Sequence, residues 1–360
     1  MADVGTNRRD LSLLPKAHLH LHFTGSMSVS TLRRLAQAED VEIPERLLDT
    51  RALEVPANER GWAKFQRAYD LARRVVRSEA AMREVVAQAA LDDAAEGSRR
   101  LELQVDPTSY APWVGGLQPA LEIASDAAIQ ASAATGVQVA LIVAASRLRH
   151  PLDARTLARI AAKRAGDAPG DVVGFGLSND ERHGNTSEWE IAFRIARRSG
   201  LAGVPHGGEL RGPDHIQKVL DHLEPARLGH GVRVGEDADL LRRVVDRGIA
   251  LEVCPMSNVH LGVYHAAADV PLRRLVDAGA RVVLGADDPL LSHSRLTDQY
   301  AVARDVHGFD DSELAELART SIRASFAADI DKSAWLAQVD AWLASPALAG
   351  GASGNQHAAA

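Results

Sequence analysis

The stretch SEWEIAFRIARRSGLAGVPHGGEL, residues 187–210, contains one complete helix–strand unit. Its first part has apolar residues at helical spacing and ends at Gly200. Its second part, Ala202–His206, is a short apolar run typical of a buried parallel strand. The same order of helix, glycine and strand recurs along the chain, and this alternation predicts right-handed βαβ units around a parallel sheet. The unit therefore predicts an α/β fold.

Eight runs of this kind can be identified in the chain. They are His18–Phe23, Leu101–Val105, Val137–Val143, Val172–Leu177, Ala202–His206, Arg227–His230, Ala250–Val253 and Arg281–Leu284. Eight alternating strands over 360 residues favour a closed (β/α)8 TIM barrel. An open Rossmann-type sheet is the alternative, but its GxGxxG motif is missing after the first strand.

The segment from about Ser26 to Gly97 is longer than one crossover needs, so extra helices are expected after strand 1. We expect a single barrel domain over residues 1–345. The chain ends in small residues, ASPALAGGASGNQHAAA, so residues 346–360 are expected to form a disordered tail.

The composition excludes several classes of protein. The chain is 46% hydrophobic and 25% charged, and 41 basic against 48 acidic side chains give a net charge of −7. That balance argues against nucleic-acid and membrane-surface partners, and no apolar run resembles a signal peptide or a membrane span. The single cysteine, Cys254, permits neither a disulfide framework nor a cysteine zinc cluster. We expect a cytoplasmic protein, and nothing in the sequence indicates its oligomeric state.

Polar residues cluster where four predicted strands end. HLHLH, residues 18–22, places three histidines on one strand face, with His20 and His22 nearest the carboxyl end and His18 deeper. The other strand ends carry, in chain order, His206 with Glu209, then His230, then Asp287 with Asp288. Each residue alone has an ordinary explanation, such as a buried hydrogen-bonded histidine or a helix cap. Together, at the barrel face where active sites lie, they predict a metal site of three histidines and one aspartate, which suits Zn²⁺.

Five motifs resemble those of the adenosine deaminase family of metal-dependent barrel hydrolases. They are LPKAHLHLHFTGS (14–26), PHGGE (205–209), RLGHG (227–231), CPMSN (254–258) and LGADDP (284–289). They occur in the family's order over most of the chain, and the related adenine deaminases share most of them. The resemblance implies hydrolytic removal of the amino group from a 6-aminopurine nucleoside, which yields the 6-oxopurine and ammonia.

The resemblance also implies individual roles. One Zn²⁺ per chain would be held by His20, His22, His206 and Asp287. Glu209 would protonate ring nitrogen N1 of the purine, His230 would orient and deprotonate the attacking water, and Asp288 would position that water. His18 stands where the family usually has Glu. The spacing to Gly25 supports His20 and His22 as the ligand pair.

The chain departs from the family's pattern around the expected substrate site. Thr24 replaces the Asp that binds the ribose 5′-hydroxyl, and Gly25 follows it. Asn179 replaces a Gly whose backbone N–H meets purine N3, and ELQVDP, with Asp106, replaces a stretch such as EVRYSP. These changes imply a different 5′ substituent. The favoured substrate is 6-amino-6-deoxyfutalosine, a menaquinone-pathway nucleoside with a carboxyphenyl group at that end; adenosine or deoxyadenosine, then adenine, are the alternatives.

The stretch GWAKFQRAYD, residues 61–70, is the expected lid over the substrate. Trp62 and Phe65 would cover the aromatic group, while Lys64 or Arg67 would meet the carboxylate. An ordinary amphipathic helix is the alternative.

A metal-dependent barrel phosphoesterase or lactonase is the alternative of a different class. Such enzymes often bridge two metals with a carboxylated Lys on the fourth strand, but DVVGFGLSNDE (171–181) has no Lys. A binding protein without activity would be expected to have lost a ligand or Glu209, and none is missing.

Overall fold

Parallel strands and helices alternate along the chain in the computed structural model, which describes residues 8–49 and 51–346. The strands are β1 (Lys16–His22), β2 (Ser98–Val105), β3 (Gln138–Ser146), β4 (Val172–Ser178), β5 (Ala202–Gly207), β6 (Arg227–His230), β7 (Ala250–Val253) and β8 (Arg281–Leu284). They lie in the sheet in chain order, and each pairs in parallel with the next. A parallel bridge between Leu21 and Asp287 joins β1 to the end of β8. The predicted (β/α)8 barrel is confirmed.

Helices separate the strands. The α-helices of the described residues are α1 (Val29–Ala38), α2 (Glu59–Arg73), α3 (Glu79–Ala95), α4 (Ala111–Val114), α5 (Leu117–Thr135), α6 (Pro151–Ala162), α7 (Glu190–Arg198), α8 (Pro213–His222), α9 (Ala238–Asp246), α10 (Pro255–His260), α11 (Leu272–Asp277), α12 (Pro289–Ser292), α13 (Leu296–Asp305), α14 (Asp311–Ala324) and α15 (Asp329–Ala344). The extra helices expected after the first strand are α1, α2 and α3. Residues 347–360 of the expected tail lie outside the described residues. No described helix is both long and apolar enough to cross a membrane.

The helix–strand unit at residues 187–210 folds as its pattern predicts. Helix α7 buries its apolar residues Ala192, Phe193 and Ala196. Gly200, with φ +84°, then turns the chain in a left-handed conformation that side chains with a Cβ rarely adopt. Strand β5 follows and carries His206 to the carboxyl end of the barrel.

A buried ion network fills part of the barrel interior. Arg227 lies between two carboxylates: its Nη2 is 2.7 Å from Glu102 Oε2, and its Nε donates to Glu252 Oε1 at 2.5 Å. Burial alone would raise the pKa of both carboxyl groups, but Arg227 outweighs that effect and both pKa values lie below their ordinary range. Breaking a buried pair leaves an uncompensated charge, which costs several kcal/mol. The network therefore fixes Glu252, whose other oxygen reaches the functional site.

Candidate active site

A cavity of about 390 Å³ opens at the carboxyl ends of the strands, with α2 along one side. Among the residues predicted to bind metal or catalyse, it is lined by His22, His206, Glu209, His230, Asp287 and Asp288. Among those expected to contact substrate, it is lined by Trp62, Phe65, Asp106 and Asn179. Its size falls within the range of small-molecule sites.

The four predicted metal ligands lie together at the base of this cavity. Ring nitrogens of His20, His22 and His206 lie within 4.8 Å of one another. Asp287 Oδ1 is 3.1 Å from Nε2 of His22 and 3.4 Å from Nε2 of His20. The topology explains the cluster, because the His22 backbone N–H donates to the Asp287 carbonyl at 3.0 Å where the ends of β1 and β8 meet.

The donor atoms of this cluster fit a cation. Nε2 of His206 is buried without a hydrogen-bond partner within residues 8–49 and 51–346, and Nε2 of His20 is buried and faces Asp287 Oδ1, another predicted ligand, at 3.4 Å. A buried polar atom without a partner is costly. Burial lowers the pKa of His206, which keeps this imidazole neutral and able to bind a metal. Three imidazoles and one carboxylate are a common donor set for a divalent metal.

Cys254 also has a ligand atom close to His20. Its sulfur lies within 4.8 Å of ligand atoms of His20, His230 and Asp287. Burial raises the pKa of the thiol well above its ordinary value, so the group stays neutral, and only the thiolate is a good metal ligand. The histidine and aspartate set is therefore the better donor set.

Glu252 orients the innermost imidazole of the cluster. Its Oε2 pairs with His20 Nδ1 at 2.7 Å, so Nε2 of the same ring faces Asp287. Burial opposes protonation of His20, but the hydrogen bonds to Asp287 and Glu252 outweigh it and raise the pKa of His20 to about 10. A bound metal takes the place of that proton.

Replacing Glu252 by Gln is expected to weaken metal binding. Carboxylate partners of metal-ligating histidines typically contribute 10–100-fold in affinity, so a loss of about that size should appear in chelator competition. Glu102→Gln is the matched control, because Glu102 contacts the same Arg227 but is not hydrogen-bonded to His20. An equal loss in both variants would assign the effect to the ion network rather than to the bond with His20.

Glu209 is buried beside the metal cluster, in surroundings that favour its protonated form. Burial, followed by the nearby carboxylates of Asp287 and Glu181, raises the pKa of Glu209 well above its ordinary value. Its Oε2 lies 3.6 Å from Nε2 of His230. A carboxyl group that stays protonated near neutral pH is a candidate general acid.

His230 and Asp288 complete the polar wall of the cavity. Burial lowers the pKa of His230 to about 3, so its imidazole is neutral. Burial, together with Asp287, raises the pKa of Asp288. Asp288 Oδ1 is buried without a hydrogen-bond partner in the described part of the chain, so it can bind a group that enters the cavity.

Three candidate residues have left-handed backbone conformations: Asn179 at φ +77°, His230 at φ +61° and Asp287 at φ +62°. Such conformations in residues other than glycine cost on the order of 1–3 kcal/mol and cluster at functional sites. Asn179 directly follows β4, His230 is the last residue of β6 and Asp287 lies three residues after β8, and all three line the cavity.

The family model for adenosine deaminase matches residues 15–342, nearly the whole chain. The chain belongs to the adenosine deaminase family. As a member of this family it is a hydrolytic deaminase.

Relatives within the family cover the same length. A putative adenosine/adenine deaminase from Streptomyces coelicolor is 55% identical over 342 residues, 93% of this chain and 98% of the relative. An adenine deaminase from Chelativorans sp. is 34% identical over 335 residues, 91% of this chain and 98% of the relative. The crystal structure of adenine deaminase from Arthrobacter aurescens has a TM-score of 0.84 and 29% identity, with 92% of this chain and 100% of that chain covered.

His18, which stands where the adenosine deaminase family usually has Glu, does not lie with His20 and His22. Its Nδ1 is 3.0 Å from Asp93 Oδ1 on α3, and its Nε2 accepts the Ala286 N–H at 3.2 Å. The pairing of β1 with β2 is irregular between His18 and Leu21, which breaks the alternation expected of a regular strand. The expectation that the three histidines share one face is therefore wrong, and His18 joins β1 to α3.

Three residues that were expected to contact the substrate, Thr24, Gly25 and Arg67, do not line the catalytic cavity. Thr24 is buried with its Oγ1 2.7 Å from Tyr110 Oη, and it does not line the cavity. Gly25 packs against Asp288, where a Cβ would lie 1.7 Å from Oδ1. Arg67 lines a separate cavity at α2. These positions correct the expected contacts: Thr24 and Gly25 support the wall, and Arg67 does not line the catalytic cavity.

No family motif used above singles out Glu181, yet it holds the loop that carries the candidate acid. Its buried carboxylate accepts the backbone N–H groups of Glu209 at 3.1 Å, Leu210 at 2.9 Å and Arg211 at 2.8 Å. Three such bonds fix the position of this loop, and the Glu181 charge contributes to the raised pKa of Glu209.

Two cations that sequence reasoning missed, Arg73 and Arg149, line the catalytic cavity. Arg73 is the last residue of α2, pairs with Asp70, and donates from Nη1 to Ser109 Oγ at 2.8 Å. Arg149 is exposed after β3. The cavity wall therefore carries two cationic side chains, together with the carboxylates of Asp70 and Asp106, which line the same cavity.

Proposed function

We propose that the chain removes the amino group from a 6-aminopurine nucleoside by hydrolysis, with one zinc ion per chain held by His20, His22, His206 and Asp287. The observation that carries the proposal is the cluster of His20, His22, His206 and Asp287 at the strand ends, with the buried carboxyl group of Glu209 3.6 Å from His230 beside it. The products are the 6-oxopurine nucleoside and ammonia. We assign this reaction to purine salvage or to a pathway with a modified purine nucleoside.

The donor set supports zinc in particular. Neutral imidazole nitrogens with one carboxylate suit Zn²⁺ better than Mg²⁺ or Ca²⁺, which prefer oxygen ligands. The chemistry that a bound zinc supplies is a more acidic water, with a pKa lowered towards about 7.

The side chains divide the proton transfers. Glu209 gives its proton to N1, which makes C6 electrophilic enough to accept the water oxygen. His230, neutral in the free site, takes a proton from the water, and Asp288 holds that water against C6. His230 then passes its proton to the amino nitrogen, the C6–N bond breaks as ammonia leaves, and the proton left on the new C6 hydroxyl returns to Glu209. Substrate and water together account for the two products.

Two arginines in the cavity wall support a substrate with an anionic 5′ substituent. Arg73 and Arg149 line the cavity, and Trp62 and Phe65 offer aromatic surface in the same cavity. We therefore keep 6-amino-6-deoxyfutalosine as the proposed substrate, with its carboxylate directed to these arginines instead of Arg67. The absence of an acidic residue at position 24 is consistent with this choice.

Adenosine or adenine is the second candidate, and the names of the relatives favour it. The Streptomyces coelicolor relative is named for adenosine and adenine, and the Chelativorans relative for adenine. Both are similar to this chain over almost their full length.

Ammonia release from a panel of substrates tests the proposal and separates the candidates. The panel contains adenosine, deoxyadenosine, adenine and 6-amino-6-deoxyfutalosine, each assayed for kcat/KM with the zinc-loaded protein. The proposed substrate should have the highest value. A higher value for adenosine or adenine moves the substrate to the second candidate, and no ammonia from any 6-aminopurine would reject the reaction.

Arg73→Gln is expected to lower kcat/KM for 6-amino-6-deoxyfutalosine by about 10–100-fold, because a hydrogen bond to a charged group contributes about 1.5–3 kcal/mol. The value for adenosine should not change, since adenosine has no anion at this end. Arg74→Gln is the matched control, because Arg74 is the exposed neighbour of Arg73 and does not line the cavity. Equal losses for both substrates would mean that Arg73 acts on the shape of α2 and does not bind an anion.

A further inference from the structure

A second cavity, of about 160 Å³, lies against α2 and shares no lining residue with the catalytic cavity. Lys64 and Arg67 of α2 line this second cavity, while Trp62 and Phe65 of the same helix line the catalytic one. Residues three apart on a helix share a face, as Trp62 and Phe65 do and as Lys64 and Arg67 do, whereas residues two apart point to different sides. Helix α2 is therefore a shared wall between the two cavities.

The rim of the second cavity is positively charged. Arg46, Arg51, Lys64 and Arg67 line it together with His293, and none of its lining residues is acidic. Arg51 pairs with Asp49. In the described part of the chain, no ion pair joins Arg46, Lys64 or Arg67 to an acidic side chain. Several positively charged side chains around a concave surface raise the local concentration of anions.

The floor of the second cavity is apolar. Leu47 is 6% exposed, Leu290 3% and Leu291 5%, and all three line the cavity. Five of the ten lining residues are apolar and the other five are Arg, Lys or His, so the cavity combines an apolar surface with positive charge. The floor selects an apolar body and the rim selects a negative charge.

We propose that this cavity binds a small organic anion, a carboxylate or phosphate monoester carried on an apolar ring, and that its occupancy changes substrate binding in the catalytic cavity. Two structural connections between the cavities support this coupling. Helix α2 presents side chains to both cavities, and α12, which contributes Leu290 and Leu291, begins directly after Asp288. The Leu290 N–H also donates to the carbonyl of Gly25, at 2.9 Å.

Calorimetry on the zinc-loaded full chain tests the site with four probes: phenyl phosphate, benzoate, benzyl alcohol and inorganic phosphate. One or both aromatic anions should bind with one site per chain. Benzyl alcohol lacks the charge and inorganic phosphate lacks the apolar body, so both should bind more weakly by about tenfold or more. Equal binding of inorganic phosphate would reduce the site to a non-selective cation cluster and overturn the proposal, as would no binding of either aromatic anion.

The double variant Lys64→Glu/Arg67→Glu should weaken binding of the aromatic anion by about tenfold or more, because it places two negative charges at the rim. Arg60→Glu is the matched control: Arg60 is exposed on the same helix and lines neither cavity. Lys64→Gln/Arg67→Gln serves as a second, milder variant if the charge reversal fails to fold. Unchanged binding in a folded double variant would overturn the site.

Steady-state kinetics with adenosine distinguishes this site from the catalytic cavity. A probe in the second cavity should change KM or kcat of the wild type without being displaced by saturating substrate, and this effect should be lost in the double variant. Simple competition with substrate would place the probe in the catalytic cavity and reject the proposal. No kinetic effect despite selective binding would reject the coupling. Neither outcome depends on which 6-aminopurine is the best substrate.

Discussion

Replacement of Glu209 by Gln is expected to leave the metal bound and to lower kcat by about 10²–10⁴-fold, the usual contribution of a general acid. Glutamine has nearly the same shape, but its amide cannot deliver a proton to N1 of the purine. The native carboxyl group holds its proton because it is buried beside Asp287 and Glu181, which together raise its pKa. In this variant, elemental analysis should therefore still find the metal, while the ammonia-release assay should show the loss of activity.

The pH profile adds a second readout for Glu209. Because its pKa is raised, the protonated acid persists to higher pH than in a free carboxyl group, and kcat/KM should fall as the pH rises through that pKa. The residual activity of Glu209→Gln should lack this fall. Glu316→Gln, an exposed glutamate on α14, is the control and should behave as wild type. Activity of Glu209→Gln close to wild type would remove this residue from the mechanism.

The barrel and the polar cluster could be predicted because both follow from local patterns. Each strand is a short apolar run beside a helical pattern, and the bounds predicted for β6, β7 and β8 are those observed. Parallel strands of a barrel end at one face, so His206 and Asp287 had to approach the first strand whatever the details of packing. The order of strands and helices along the chain is therefore enough to predict that these residues lie close together.

The errors arise where a side chain is placed by a distant partner. The Tyr110 hydroxyl that pairs with Thr24 lies 86 positions away in the chain, and Asp93 lies 75 positions from His18. No periodic pattern encodes such pairs. Arg67 is a different case, because the helical period already separates it from Trp62 and Phe65, and a stricter reading of that period predicts that it faces away from the substrate.

A polar side chain whose partners are backbone atoms is even harder to identify from the sequence. Glu181 binds three successive N–H groups of the loop that carries Glu209, and any loop sequence offers such donors. Its function therefore becomes visible only once the carboxyl ends of β4 and β5 are side by side. The same holds for Glu252, whose partners His20 and Arg227 come from two other strands.

His206→Ala is expected to abolish stoichiometric metal binding and, with it, detectable deamination, while His18→Asn is expected to retain both. His206 brings a buried, unpaired Nε2 to the cluster, whereas both ring nitrogens of His18 are used by Asp93 and Ala286. Loss of a direct ligand should cost more than the roughly 10–100-fold in affinity that an outer partner contributes. His18→Asn should instead lower the free energy of unfolding, by about 1–3 kcal/mol if a buried partner is left unpaired.

Metal content per chain, ammonia release and thermal unfolding of the two variants decide between these roles. Wild type and His18→Asn should each hold one metal, since the candidate ligand groups of the described residues overlap at His20, His22, His206 and Asp287 and do not form two separate sites. Added zinc should not restore His206→Ala, because the remaining ligands come from one strand, β1, and from Asp287 beside it. Two metals per chain in wild type, or full occupancy in His206→Ala, would contradict the four-ligand site; loss of metal in a folded His18→Asn would return His18 to the metal centre.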